Sequence, residues 1–454
     1  MTRVLKFGGA ALRDAAGIRR AAAIVASGQG PRIVVTSAME GVTDQLLAAQ
    51  GGARASDTAV KPAIDALRER HAATLRGLAP NDAAAAAALA STLEKLERLL
   101  HGIAYTQEVT PRLHDLVQSH GERLAAPLVA AALRQAGVAA VALDGETARI
   151  RSRGPFGNAL PDLDGLRREA APALQRLTDA GQVPVVTGYY GVDADGQATL
   201  FGRGGSDYVA ALVAYAVKAE CLELWKDVAG FMTADPRAVP GARLLPRIGY
   251  DEAAELANFG AKVLHPRTVE PVQDAGIPIH IRPVADPTGP GTAVVADPGA
   301  ADALVRSVAT TTGLAVLRLN GPGMAYTPGV ARRVFTPLAE AGVNVINMAT
   351  SQASFALLLD EADLARAQQA LDGLRGGTVQ SFQSMAGRSL VCVVGRGLGE
   401  VPGSAARILQ AVAAAGVNVE MISLGASDIA IDFVVRQESA ARAVRAIHDT
   451  FLAG

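Results

Sequence analysis

The chain has 454 residues, 50% of them hydrophobic, and its 43 basic and 44 acidic side chains leave a formal net charge of -1. That length exceeds what one hydrophobic core serves, so two or three domains are expected. The balanced charge offers no basic arm to displace counterions and argues against nucleic acid as a partner.

The first residues run straight into a strand-like segment, 3–7, without the order of a signal peptide, and no apolar run approaches about 20 residues, so neither export nor a membrane span is predicted. Short β-branched runs then alternate with amphipathic Ala/Leu/Arg stretches, the pattern of a layered α/β fold with a mostly parallel sheet between helices. Strands are predicted at 4–7, 32–36, 139–143, 183–187, 221–226 and 279–282. Pro184 cannot donate to a ladder, so pairing of the fourth strand should begin at Val185. Residues 53–118 read as a helical excursion, with Leu and Ala on inner faces and Arg and Glu outside. Cys221 and Cys392 are too few and too far apart for a disulfide framework or a zinc site, which suits a reducing cytoplasm.

Residues 284–291 form a turn-rich boundary, and beyond it lies an internal repeat. Ala341-Gly342-Val343-Asn344-Val345 returns as Ala415-Gly416-Val417-Asn418-Val419, each after an amphipathic helix pattern and before short strands. Each copy reads as a ferredoxin-like module lacking its last strand. Residues 378–382 can supply that strand to the first copy. The second has no chain left after its final helix, so 304–310 is predicted to complete its sheet, one module being inserted in the other. The expected divisions are 1–300, 301–384 and 385–454.

Two glycine clusters carry the chemistry. Lys6-Phe7-Gly8-Gly9 closes the first strand, where ligands of open parallel sheets bind and backbone amides can approach a phosphate. Gly202-Arg203-Gly204-Gly205-Ser206-Asp207 opens a helix over 208–218, an anion site in which Arg203 can grip a carboxylate. Alone, the first could be a plain turn with a solvated lysine, and the second a helix capped by Ser206 or Asp207. Together they favour a nucleotide site. No P-loop occurs, and the series Gly395, Gly397, Gly399 falls inside the second repeat, away from any first strand, which argues against a dinucleotide oxidoreductase.

With those clusters, Ser37-Ala38-Met39-Glu40-Gly41-Val42-Thr43, Gly121-Glu122-Arg123-Leu124, Met232-Thr233-Ala234-Asp235-Pro236-Arg237 and Phe259-Gly260-Ala261-Lys262-Val263-Leu264-His265-Pro266 resemble the aspartate kinases, in that family's order and over essentially the whole chain. The C-terminal repeat resembles their paired ACT modules. The resemblance implies an amino acid kinase fold with two ferredoxin-like ACT modules. It implies ATP-dependent phosphorylation of the β-carboxylate of L-aspartate, the first step toward lysine, threonine and methionine. Lys6 would stabilise the transferring phosphoryl group, and Asp207 would orient that lysine and the metal-nucleotide. Arg203 and Ser206 would hold the carboxylates of aspartate and Glu122 its ammonium, with Ser37, Thr43 and Tyr189 completing the pocket. Gly8, Gly9, Lys226, Asp227, Arg237 and Lys262 would join Lys6 in contacting ATP, and Mg²⁺ would be held through the ATP phosphates, not by the protein. The acceptor carboxylate, with an ordinary pKa of about 3.9, needs no general base.

Three departures from the family pattern stand out. Ala10-Ala11 stand where Thr-Ser is usual, Asp44 replaces Asn, and Lys226 replaces Thr. The missing hydroxyls motivate a rival reading, a catalytically weakened homologue that senses amino acids. In the first repeat the loop 321–329 meets a helix N-terminus, where Met324, Ala325 and Asn344 are expected to bind an effector, lysine or threonine by resemblance. A homodimer or homotetramer through the ACT modules is implied.

Overall fold

The computed structural model describes residues 1–261, 263–299, 304–322, 324, 327–377 and 379–453. The chain forms two compact units that are not separated by a single cut. The first holds Met1–Phe231, Leu245–Tyr250 and Val263–Pro298; the second holds Met232–Leu244, Asp251–Lys262 and Gly299–Gly454. Two segments that precede residue 300 thus pack with the C-terminal unit.

The first unit is built on an eight-stranded sheet running, edge to edge, Ala140–Leu143, Val183–Thr187, Arg32–Thr36, Arg3–Phe7, Cys221–Lys226, Ile279–Pro283, Thr292–Val295 and Arg247–Gly249. All neighbours are parallel except Ile279–Pro283 against Thr292–Val295. Ile33, Val34 and Val35 are all buried, as a strand covered on both faces requires. All six predicted strands are present. Pairing of Val183–Thr187 with Arg32–Thr36 begins at Val185, but on its other side Val183 N–H already donates to Ala139 O at 2.8 Å. The missing donor of Pro184 therefore affects one neighbour only. The strands Arg247–Gly249 and Thr292–Val295 were not anticipated, being three and four residues long and flanked by Pro and Gly.

The helical excursion comprises Val42–Ala55, Val60–Leu78, Ala83–Thr106 and Pro111–Gln135. The last starts with Pro at its first position behind a Thr110 cap, whose hydroxyl accepts from Leu113 N–H at 3.2 Å. It runs buried past the sheet and carries Glu122 inward. Among the described residues no helix is long and apolar enough to cross a membrane.

The second unit contains one six-stranded sheet in the order Val345–Thr350, Ser354–Asp360, Ser307–Asn320, Ser381–Val394, Ala430–Arg436, Met421–Ser423, antiparallel throughout. Its two central strands have 14 residues each and serve both modules. Residues 314–320 pair with 354–360, whereas 307–311 pair with 390–394 in the half of the sheet that holds Ala430–Arg436. Thr378, at the start of the strand predicted for 378–382, lies outside the described residues, and the observed strand begins at Ser381. Each module has its own core, one around Leu317, Val334 and Leu357, the other around Val391, Phe433 and Ile447. Ala234 and Val239 join the latter, and Thr233 Oγ1 lies 3.0 Å from His448 Nε2.

Phe433 is fully buried in the second core, so Phe433→Ala should cost about 3–5 kcal/mol through lost burial and a residual cavity. Leu424→Ala, at a side chain 58% exposed, should change stability by less than about 0.5 kcal/mol. Denaturant unfolding of the two variants checks the contrast, and equal effects would contradict this packing.

Candidate active site

Parallel strands end at a common edge, and the candidate residues gather there. Lys6 precedes the last residue of Arg3–Phe7, Ser37 follows Arg32–Thr36, Tyr189 lies two residues beyond Val183–Thr187, and Lys226 ends Cys221–Lys226. The helix Gly205–Val217 starts at the same edge. Gly204, at φ +73°, turns the chain into that helix, and a Cβ there would also lie 2.4 Å from the His265 side chain. The glycine and the His of a distant motif thus pack directly on each other.

Glu122 comes from behind. A Cβ at Gly121 would meet the Ala38 methyl at 2.8 Å, so glycine is what allows the long helix to press against the 37–43 loop. That approach puts Glu122 Oε1 where it accepts from Ala38 N–H at 3.1 Å and from the Ser206 hydroxyl at 3.2 Å. Arg123, next along, turns away to Asp144 and Glu146 and stacks over Tyr190.

These elements enclose a cavity of about 530 Å³ lined by Lys6, Gly9, Ala10, Ser37, Thr43, Glu122, Tyr189, Arg203, Ser206, Asp207 and Lys226, together with the 38–41 loop. Gly8 and Asp227 are chain neighbours of this lining without belonging to it. Asp227 is exposed. Arg237 is in the second unit, paired with Asp235 at 2.6 Å and open to solvent. Lys262 and Ala325 lie outside the described residues. A larger cavity, about 640 Å³ beside the helices Ala83–Thr106 and Pro111–Gln135, contains neither glycine cluster.

Asp207 organises the charge. Its Oδ1 lies 2.6 Å from Lys6 Nζ, and its Oδ2 accepts from Lys226 Nζ at 2.6 Å. Burial would raise its pKa, but Lys226 and Lys6 outweigh that and hold the carboxyl well below the usual range. Burial lowers the pKa of Lys6; Asp207 opposes this and Lys226 adds to it. Across the cavity burial pushes Glu122 up to about 8, against the bonds from Ala38 and Ser206. Its Oε2 is buried with no hydrogen-bond partner, a vacancy that a ligand ammonium would fill.

In the first C-terminal module Asn344 is exposed just before Val345–Thr350. Met324 differs from expectation: its side chain is buried in the module's core against Val330 and Val334. Only its backbone is left to meet a ligand. The sequence reading also missed Ala38, because its contribution is a backbone N–H.

Residues 1–283 match the family model for the amino acid kinase family, and residues 317–373 and 391–451 match that for an ACT domain. Lysine-sensitive aspartokinase 3 of Escherichia coli (strain K12) is 33% identical over 457 residues, covering 98% of each chain. The chloroplastic bifunctional aspartokinase/homoserine dehydrogenase 1 of Arabidopsis thaliana is 31% identical over 99% of this chain, which spans about half, 51%, of that relative. The crystal structure of E. coli aspartokinase III in complex with aspartate and ADP (R-state) superposes with a TM-score of 0.86 at 32% identity, covering 100% of both chains.

With Glu122 near pKa 8, the free site is mostly protonated at neutral pH, whereas an ammonium ligand needs the carboxylate. Binding of L-aspartate, the acceptor implied by the motifs, should release close to one proton at pH 7 and weaken by up to about tenfold per pH unit below 8. Calorimetry in buffers of different ionisation enthalpy measures both, and an affinity flat from pH 6 to 8 would contradict this role.

Proposed function

The chain belongs to the aspartokinases of the amino acid kinase family, and on that premise we propose that it transfers the γ-phosphoryl group of ATP to the β-carboxylate of L-aspartate, giving 4-phospho-L-aspartate and ADP. One observation carries this reading. A single cavity holds a buried carboxylate oxygen without a partner, Glu122 Oε2, and a buried carboxylate, Asp207, flanked by two ammonium groups. Such a cavity suits a zwitterionic amino acid at one end and a polyphosphate at the other.

In this reading Glu122 takes the ammonium of aspartate, and Arg203 with Ser206 holds its carboxylates. Ser37, Thr43 and Tyr189 shape the remaining wall. Lys6 and the amides around Gly8 and Gly9 stabilise charge spreading over the transferring phosphoryl group, and Lys226 and Asp227 serve the nucleotide. The acceptor carboxylate is already ionised, so alignment and charge stabilisation make up the catalysis. Mg²⁺ would come with the ATP phosphates in this reading, where it neutralises charge.

The paired ACT modules and the lysine sensitivity in the name of the E. coli relative support feedback regulation, with lysine as the effector. Asn344 is the candidate contact for that effector, and pairing of these modules between copies would give a homodimer or homotetramer. Two buried free cysteines suit a cytoplasmic setting. Ala10-Ala11, which lack the hydroxyls usual there, motivate the rival reading of a catalytically weakened homologue that senses amino acids.

An ADP-release assay with aspartate, ATP and Mg²⁺ separates the two. Turnover is expected in the native chain, and Lys6→Ala should reduce it about 10²–10³-fold; no turnover with aspartate rejects the kinase. Asn344→Ala should relieve inhibition by lysine and leave uninhibited turnover unchanged, and inhibition that persists in this variant argues against the effector site.

A further inference from the structure

Lys226 projects from the same face of the sheet as Lys6. In the parallel pair Arg3–Phe7 and Cys221–Lys226, Lys6 is in register with Leu224, and Lys226 lies two residues on. The helix Gly205–Val217 brings Asp207 to that face, and each lysine takes one carboxylate oxygen at 2.6 Å.

The charge count then decides what Lys226 adds. Lys6 and Asp207 alone would form a neutral pair. With Lys226 the cluster carries one surplus positive charge in a largely desolvated wall of the cavity, where a charge acts more strongly than in water. Ala10 offers a methyl group, and Ala11 N and Leu12 N are both spent on Gly8 O, at 3.0 and 3.2 Å.

We propose that Lys226 is a catalytic residue, its ammonium contacting the γ-phosphoryl group of ATP beside that of Lys6, with Asp207 the shared spacer that aims both. The proposal rests on the kinase reading of this site. In the step itself, an oxygen of the acceptor β-carboxylate forms the new O–P bond while the bond from the γ-phosphorus to the bridging oxygen breaks. The electron pair leaves with ADP. No proton moves. Its charge meets an oxygen that ATP has and ADP lacks, so the nucleotide pair itself reports the contact.

The test compares native chain, Lys226→Met and Lys226→Gln by calorimetric titration with ATP and with ADP, and by kcat in the ADP-release assay. Gln keeps a hydrogen bond to Asp207 without the charge; melting temperatures confirm that both variants fold, and Gln carries the test should Met unfold. The expected result is an ATP dissociation constant raised about tenfold or more in both variants, ADP binding within about twofold of native, and kcat lowered about 10²–10³-fold in both. ATP and ADP affinities that fall together, or that both stay unchanged, overturn the proposal. Recovery of kcat in Lys226→Gln also overturns it, because it would show Lys226 acting only through Asp207. A native chain that binds no ATP rejects both this proposal and the kinase reading. One that binds ATP without phosphorylating aspartate rejects only the acceptor, and the ATP and ADP contrast still decides the role of Lys226.

Discussion

The carboxylate of Asp207, fixed between two lysines, is the constraint on which the active-site half of this molecule turns. Parallel strands deliver Lys6 and Lys226 to one edge and one face of the sheet. Both ammonium groups are drawn out of bulk water there, and each would repel the other without an anion between them. The glycine-led start of Gly205–Val217 supplies that anion from a helix that can lie close against the strands. A buried charge cluster of this kind is not a source of stability in itself. It fixes the position of two cations, which is what phosphoryl transfer requires.

Glu122 shows the opposite electrostatic solution in the same cavity. Burial outweighs the attraction of Lys6 and the bonds from Ala38 and Ser206, so the carboxyl stays largely protonated at neutral pH. One oxygen is tied to Ala38 and Ser206 while the other is left open. Two carboxyl groups of one cavity are thereby pushed in opposite directions by their surroundings, one into a permanent anion and one into a group whose charge awaits a cation.

Much of this was legible in the sequence because the glycine clusters and the strand periodicity are local signals. Lys6, Glu122, Arg203, Ser206 and Asp207 lie in contiguous motifs, and the fold brings those motifs to one edge. What escaped was non-local. The role of Gly121 depends on the Ala38 methyl 83 positions earlier in the chain, and that of Gly204 on His265. The bond from Ala38 to Glu122 uses a backbone amide, which no residue pattern announces. Met324 sits in a glycine-rich loop that suggested ligand contact, but its flexible apolar side chain fills the core. The packing of Ala234 and Val239 into the second C-terminal core was equally hidden, since both lie within the expected division 1–300.

The two shared strands of the C-terminal unit also set an order of assembly. Ser307 pairs with Val394, and between their shared ends lies the first module, which includes the pairing of 314–320 with 354–360. Closing so long a loop from a disordered chain is slow, because the entropy of bringing its ends together must be met before any contact rewards it. Once the first module has folded, its two long strands already lie side by side, and extending that ladder brings the ends together with little further loss. The inserted module thus acts as a preformed turn for the module that surrounds it. Its stability governs not only its own fold but the rate at which its neighbour can close.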